Sequence, residues 1–196
     1  MQNFSILLFD GFETLDALGP AEIIGELPKY YKLQYASQHG GMVTSAQGLR
    51  VETVPFSAIP NGGVLLIPGG IGTRVLVTDE EFIHSLKTLA EQAVYVLAVC
   101  TGTLVLAKTE LLNGKPATSN KRLFHWALST APQVQWQHRA RWVVSGKLYT
   151  SSGVTAGMDM TLGFLRDTLG YDIAKAIANG IEYLWNEDAT NDPFAL

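Results

Sequence analysis

A thiol, a carboxylate and a glycine-rich loop are the residues of this chain best suited to covalent chemistry. Cys100 is the only cysteine. It stands where the apolar run Val94-Tyr95-Val96-Leu97-Ala98-Val99 stops and the helical pattern Thr101-Gly102-Thr103-Leu104-Val105-Leu106 begins, which is the sequence form of a nucleophile elbow. A strand would carry the sulfur to the carboxyl edge of a sheet, and the following helix would turn its unpaired backbone N–H groups toward it. Those amides carry partial positive charge, so the expectation is a thiol biased toward thiolate, the nucleophilic form. The competing reading is a buried small hydrophobe, because free cysteine is among the most often buried residue types.

The loop Pro68-Gly69-Gly70-Ile71-Gly72 follows the apolar run Val64 to Ile67 and lets backbone approach a ligand without side-chain obstruction. A Gly70 or Ile71 N–H, paired with the Thr101 amide, would stabilise negative charge on a substrate atom. Gly69, Gly70, Ile71 and Gly102 are therefore the substrate-binding candidates, against the alternative of a plain tight turn. The loop lacks the Walker lysine and the GxGxxG spacing of a phosphate cradle. In the segment Asp10 to Glu22, Asp10 belongs to a turn, Glu13 reads as solvated surface and Glu22 as a helix-dipole partner. Asp16, flanked by Leu15, Ala17 and Leu18, is the carboxylate that burial would raise toward neutral pKa and fit for proton transfer. A turn or N-cap aspartate is the alternative.

The elements that must position these groups alternate. Phe4 to Phe9, Lys32 to Ser37, Leu49 to Val54, Val64 to Ile67 and Val94 to Val99 read as strands. A helix is expected with Pro20 in its first turn and Ile23, Ile24 and Leu27 on its apolar face. A second is capped by Thr78 or Asp79 and buries Phe82, Ile83, Leu86, Leu89 and Ala90. Ala117 to Asn120 reads as a short strand and Leu123 to Ser129 as a small helix. Trp136 to Val144 and Lys147 to Ser151 form a hairpin, and helices over Gly157 to Leu169 and Ile173 to Trp185 close the chain. Apolar strands alternating with amphipathic helices predict an α/β fold with a mostly parallel sheet covered on both faces, in one domain over residues 1–196. Ligands of such sheets bind at the carboxyl ends of the strands, which would bring the Asp10 to Gly19, Pro68 to Thr73 and Cys100 loops together.

Composition narrows the partners. With 47% apolar and 16% charged residues the 196-residue chain is a globular protein, and a net charge of −4 without a basic block argues against nucleic acid. No apolar stretch approaches the roughly 20 residues of a membrane-spanning helix, and Met1 to Ser5 lack the pattern of a signal peptide. One cysteine makes no internal disulfide, so the cytoplasm is the expected location. His39, His84, His125 and His138 are scattered without metal-ligand spacing, so no metal site is expected.

Taken in order, Ile67-Pro68-Gly69-Gly70, Ala98-Val99-Cys100-Thr101-Gly102-Thr103-Leu104-Val105-Leu106-Ala107, Leu111 to Thr118 and Gly153-Val154-Thr155-Ala156-Gly157-Met158-Asp159 resemble the DJ-1/PfpI (ThiJ/PfpI) superfamily over nearly the whole chain. Leu15-Asp16-Ala17-Leu18-Gly19-Pro20 and Ile181-Glu182-Tyr183 are similar to its isonitrile hydratase branch. The resemblance implies a flavodoxin-like three-layer sandwich, a homodimer, and a lyase that needs no metal or organic cofactor. Cys100 would attack a small-molecule electrophile, Asp16 would move protons, and Thr101 with the glycine loop would polarise the adduct. Many relatives carry a histidine where this chain has Asn120. A Cys-His dyad, as in protease-like or glyoxalase-like members, would then need His125 to swing in from the next helix. Glyoxalase-like or amidase-like activity on carbonyl compounds and a redox or stress sensor using an oxidisable Cys100 are the alternatives. A ligand-sensing domain of a regulator is a further one, disfavoured because the chain ends at Leu196 with no room for a DNA-binding module.

Overall fold

Alternation along the strands decides the layering. In the computed structural model, which describes residues 1–195, Phe4 and Ile6 enter one hydrophobic core while Leu7 between strand and loop enters the other. Val64 and Leu66 likewise face opposite to Leu65 and Ile67, and Leu97 and Val99 opposite to Val96 and Ala98. Strands apolar on both sides need a cover on each face.

The strands are β1 (Gln2–Leu7), β2 (Tyr31–Ser37), β3 (His39–Thr44), β4 (Arg50–Pro55), β5 (Val64–Ile67), β6 (Tyr95–Val99), β7 (Pro116–Ala117), β8 (Gln135–Trp136), β9 (Trp142–Ser145) and β10 (Leu148–Ser151). Eight of them form one sheet in the order β3-β4-β2-β1-β5-β6-β10-β9, and β7 pairs separately with β8. The inner pairs are parallel, and only β3–β4 and β9–β10, at the two edges, are antiparallel. The helices are α1 (Thr14–Gly25), the single turn α2 (Thr73–Leu76), α3 (Glu80–Gln92), α4 (Gly102–Lys108), α5 (Phe124–Thr130), α6 (Ala156–Leu169) and α7 (Tyr171–Gly180). Side chains of α1, α6 and α7 fill one core, those of α3, α4 and α5 the other. The result is the flavodoxin-like three-layer α/β sandwich. Strand order reverses beside β1, so the crevice at the carboxyl ends of β1, β5 and β6 is where such sheets bind ligands.

Val64–Ile67 matches the expected strand, and α3 begins one residue after Asp79, whose side chain accepts the Phe82 N–H at 3.0 Å. Four expectations need correction, the first being that the closing helix spans Tyr171–Gly180 rather than Ile173 to Trp185. The helix after β1 begins at Thr14, so Pro20 lies in its interior and Asp16 in its first turn rather than in a loop. Proline has no N–H to offer the carbonyl four residues back, which here is that of Asp16. Strand β3 carries no strand pattern in its sequence, and Gly40 and Gly41 take positive φ of 75° and 85° within it; pairing with β4 holds it. The hairpin is shorter than predicted, since Trp136 pairs with β7 instead.

A candidate cysteine active site at the carboxyl edge of the sheet

Cys100 directly follows β6 with φ of +59°, a left-handed conformation that non-glycine residues rarely adopt. Its backbone is pinned on both sides. The N–H donates to the carbonyls of Ser151 and Ser152 at 3.2 and 3.1 Å, and the carbonyl accepts the Ser119 hydroxyl at 2.8 Å. Strain at one residue costs roughly 1–3 kcal/mol and persists only where the surroundings fix it. Val154, with φ of +43°, is a second strained position, and its amide and that of Thr101 act on the sulfur in favour of the thiolate.

Asn120 donates from Nδ2 to Cys100 Sγ at 3.1 Å, while its Oδ1 accepts the Leu123 N–H at 3.2 Å. That second bond fixes which end of the amide meets the sulfur. Gly153 makes the approach possible, since a Cβ there would lie 2.7 Å from Asn120 Nδ2. Asn120 can donate to a thiolate but has no proton to exchange near neutral pH. His125 is exposed on α5 and does not line the site, so the structure offers no Cys-His pair there.

Asp16 is fully buried behind the elbow. Its Oδ2 accepts the Gly69 N–H at 2.8 Å, and its Oδ1 has no hydrogen-bond partner among the described residues. Burial pushes its carboxyl up to about 7; the Gly69 bond pulls it back, the charge of Glu13 raises it, and the neighbouring Cys100 thiol lowers it. The thiol is pushed up to about 12, first by burial and then by the charge of Asp16, against the Asn120, Thr101 and Val154 hydrogen bonds that favour the thiolate. This corrects the expectation of a resting thiolate. A buried sulfur beside a carboxylate loses more hydration than the partial charge of a short helix returns.

The glycine loop braces this pair more than it faces a substrate. A Cβ on Gly69 would sit 2.7 Å from Thr101 N and Oγ1 and 2.8 Å from Asp16 Oδ2, so only glycine lets these three groups converge. The Gly70 N–H is spent on Thr101 Oγ1 at 3.1 Å, which removes it as an oxyanion donor. Thr101 Oγ1 also meets Thr73 Oγ1 at 3.1 Å. Gly102 packs its α-carbon against the carbonyls of Ile67 and Pro68, a backbone contact rather than a ligand contact. The Ile71 N–H makes no hydrogen bond among the described residues and keeps its place as a donor candidate.

Above the sulfur opens a cavity of about 310 Å³. Cys100, Thr101, Asn120 and Val154 line it together with Gly70, Ile71, Thr73, Leu123 and Trp126. Glu13, Arg74 and Arg122 add charge to the same walls. Ile71 and Trp126 shape the pocket, whereas Phe12 is fully buried and bridged to Gly70. Asp16 is not on the wall either; it reaches the cavity through Cys100. Glu13, read from the sequence as solvated surface, lines the cavity, and its position follows from the Glu13 N–H donating to Gly69 O at 2.8 Å. The arginines carried no local sequence signal.

Residues 3–167 match the family model described as the DJ-1/PfpI family. The chain belongs to the DJ-1/PfpI family. Within it, the chain is similar to an isonitrile hydratase from Pseudomonas putida, 35% identical over 92% of this chain and 78% of that protein. It is also similar to the HTH-type transcriptional regulator GbdR of Pseudomonas aeruginosa, 28% identical over 93% of this chain but only 51% of the regulator. Among solved structures, a ThiJ/PfpI family protein from Pseudomonas syringae superposes with a TM-score of 0.84 at 28% identity, over 93% of this chain and 75% of that one. Drosophila melanogaster DJ-1beta, at 19% identity, shares the fold with a TM-score of 0.79 over 94% of this chain and 99% of that one. DJ-1/PfpI relatives thus include both an enzyme and regulators, and the geometry of the site must decide between them.

Proposed function

We propose that the protein is a cofactor-free hydratase of isonitriles, with Cys100 as nucleophile and Asp16 as acid and base. The observation that carries this reading is the buried Asp16 carboxyl, lifted to about 7, with one oxygen unpartnered among the described residues, beside a thiol that is itself protonated at rest. Such a pair moves a proton only when an electrophile arrives. As Cys100 Sγ bonds to the terminal isonitrile carbon, Asp16 takes the thiol proton and returns it to that carbon, giving a thioimidate, R–N=CH–S–Cys. Water then adds to the same carbon, its second proton going to nitrogen. Collapse of R–NH–CH(OH)–S–Cys breaks the C–S bond, releases the N-substituted formamide and returns the hydroxyl proton to sulfur through Asp16. The sulfur-facing amides of Asn120, Thr101 and Val154 stabilise the departing thiolate.

The similarity to the Pseudomonas putida hydratase supports the same reading. Asn120 in contact with the sulfur speaks against glyoxalase-like or amidase-like chemistry, which needs a titrating partner at that place. Proton NMR of the formamide formed from isohexyl isonitrile tests the proposal. Turnover by the wild type, abolished in Cys100→Ala and strongly reduced in Asp16→Asn, is expected; no formamide from the wild type, with no isonitrile-dependent labelling of Cys100, would defeat it. A ligand-sensing role is the second reading, favoured by the similarity to GbdR over 93% of this chain. It predicts binding without consumption. The homodimer implied by the family belongs to the same proposal, and light scattering checks it.

A further inference from the structure

The cavity over Cys100 carries more positive charge than the chemistry at its floor requires. Arg74, on α2, and Arg122, between β7 and α5, come from distant parts of the chain and line the same walls. Arg141 and Arg166 are each paired with an aspartate, whereas Arg74 and Arg122 have no carboxylate partner among the described residues. The acidic residue on the wall, Glu13, already has Oε1 engaged by Gln47 Nε2 at 2.8 Å. Two arginines against one glutamate leave the walls of the cavity with a positive excess in a chain whose net charge is −4. The isonitrile carbon and nitrogen fill a small part of about 310 Å³, so the group they are attached to occupies the rest. That space offers Ile71, Leu123 and Trp126 to hydrocarbon and the two guanidiniums to an anion.

We infer that the electrophile accepted here is an anionic one, a carboxylate joined to the reacting carbon by a short hydrocarbon spacer, with Arg74 and Arg122 binding the carboxylate. Guanidinium matches a carboxylate with two parallel N–H donors, which orients the substrate as well as holding it. The same charges draw an anion into the cavity and raise its encounter rate. The identity of the reacting group rests on the hydratase reading, and its product would then be an N-formylamino acid. The anion site itself does not depend on that reading.

The test compares two isosteric probes, ω-isocyanobutanoate and isohexyl isonitrile, in steady-state kinetics at low salt. The carboxylate probe is expected to have the higher kcat/KM by at least about tenfold. Each of Arg74→Gln and Arg122→Gln should lower that ratio about threefold to tenfold, the range of a partly solvated ion pair or somewhat above it. Lys87→Gln, which removes the same charge from a surface remote from the cavity, should leave the ratio alone, and added salt should shrink it. Turnover of both probes without preference for the anion, or a ratio indifferent to both arginines, overturns the inference. Should neither probe be consumed, the hydratase reading fails, and calorimetry on Cys100→Ala decides the anion site separately. Salt-sensitive binding of N-formyl-γ-aminobutyrate, weakened by Arg74→Gln and tighter than that of N-isohexylformamide, supports it; equal or undetectable binding of the two overturns it.

Discussion

Two buried aspartates, both with 0% exposure, lie on the same side of the sheet and have opposite surroundings. Asp159 is saturated. Its Oδ2 meets Arg141 Nε at 2.6 Å, and its Oδ1 accepts both the Tyr183 hydroxyl and the Asn186 N–H at 3.0 Å. Asp16 has a single amide on one oxygen, none on the other, and a thiol beside it. Burial lifts both carboxyls above the ordinary range, but only Asp159 has a guanidinium to compensate it. A saturated buried carboxylate ties elements together, here α6, Arg141 and the segment after α7. An under-satisfied one stores free energy that a proton can release, and that is a property of reaction sites rather than of scaffolds.

Exchanging one group at each place breaks the comparison most forcefully. Asp16→Asn should lower kcat/KM for isonitrile hydration by about a hundredfold to ten-thousandfold, the usual worth of a positioned acid–base group. It should also stabilise the fold at alkaline pH. The folded pKa of Asp16 lies near 7, above the ordinary aspartate value of 3.8, so the folded state retains a proton that the unfolded state has lost. Stability therefore falls as pH rises from about 4 to 7, and the wild type carries a penalty on the order of a few kcal/mol above that window. Melting curves of wild type and Asp16→Asn should coincide near pH 4 and separate by pH 8, the variant melting higher; a variant melting lower throughout would mean that Asp16 is structural.

Arg141→Met should do the reverse, costing about 3–5 kcal/mol in denaturant titrations by leaving Asp159 charged and unpaired, with turnover per folded molecule largely kept. Gly69→Ala acts where the sulfur, the carboxylate and Thr101 converge. Its Cβ must displace one of them, so activity should fall by more than about tenfold while the melting temperature changes by only a few degrees. The smallest effect is expected from Asn120→Ala, which removes one hydrogen bond to sulfur worth about 1 kcal/mol and should cost roughly fivefold to tenfold in kcat/KM.

Much of this was legible in the residues. The apolar run into Cys100, the glycines after Val64–Ile67 and the Asp79 cap are local signals, and the structure has each as a strand end, a tight loop and a helix start. Asp16 was legible as a carboxylate among apolar neighbours. Its single amide partner was not, because Gly69 arrives in the loop after β5, far away in sequence. The bias toward thiolate was overestimated, since sequence displays the helix amides but not the depth of burial. Gly70 looked free for an oxyanion until Thr101, distant in sequence, took its amide. Glu13, Arg74 and Arg122 gather at the cavity only through tertiary packing, and β3 forms against its own propensity because β4 pairs with it.

The pH dependence of kcat/KM for isonitrile hydration, combined with intact mass of the enzyme quenched during turnover, tests the central claim most directly. The account predicts a rate that rises with pH through about 7, as Asp16 loses its proton and becomes able to take the one on sulfur. The quenched enzyme should carry the added mass of one whole isonitrile on Cys100, and in Asp16→Asn the rise near neutral pH should disappear. A pH profile unchanged by Asp16→Asn, or formamide produced without any adduct on Cys100, would contradict it.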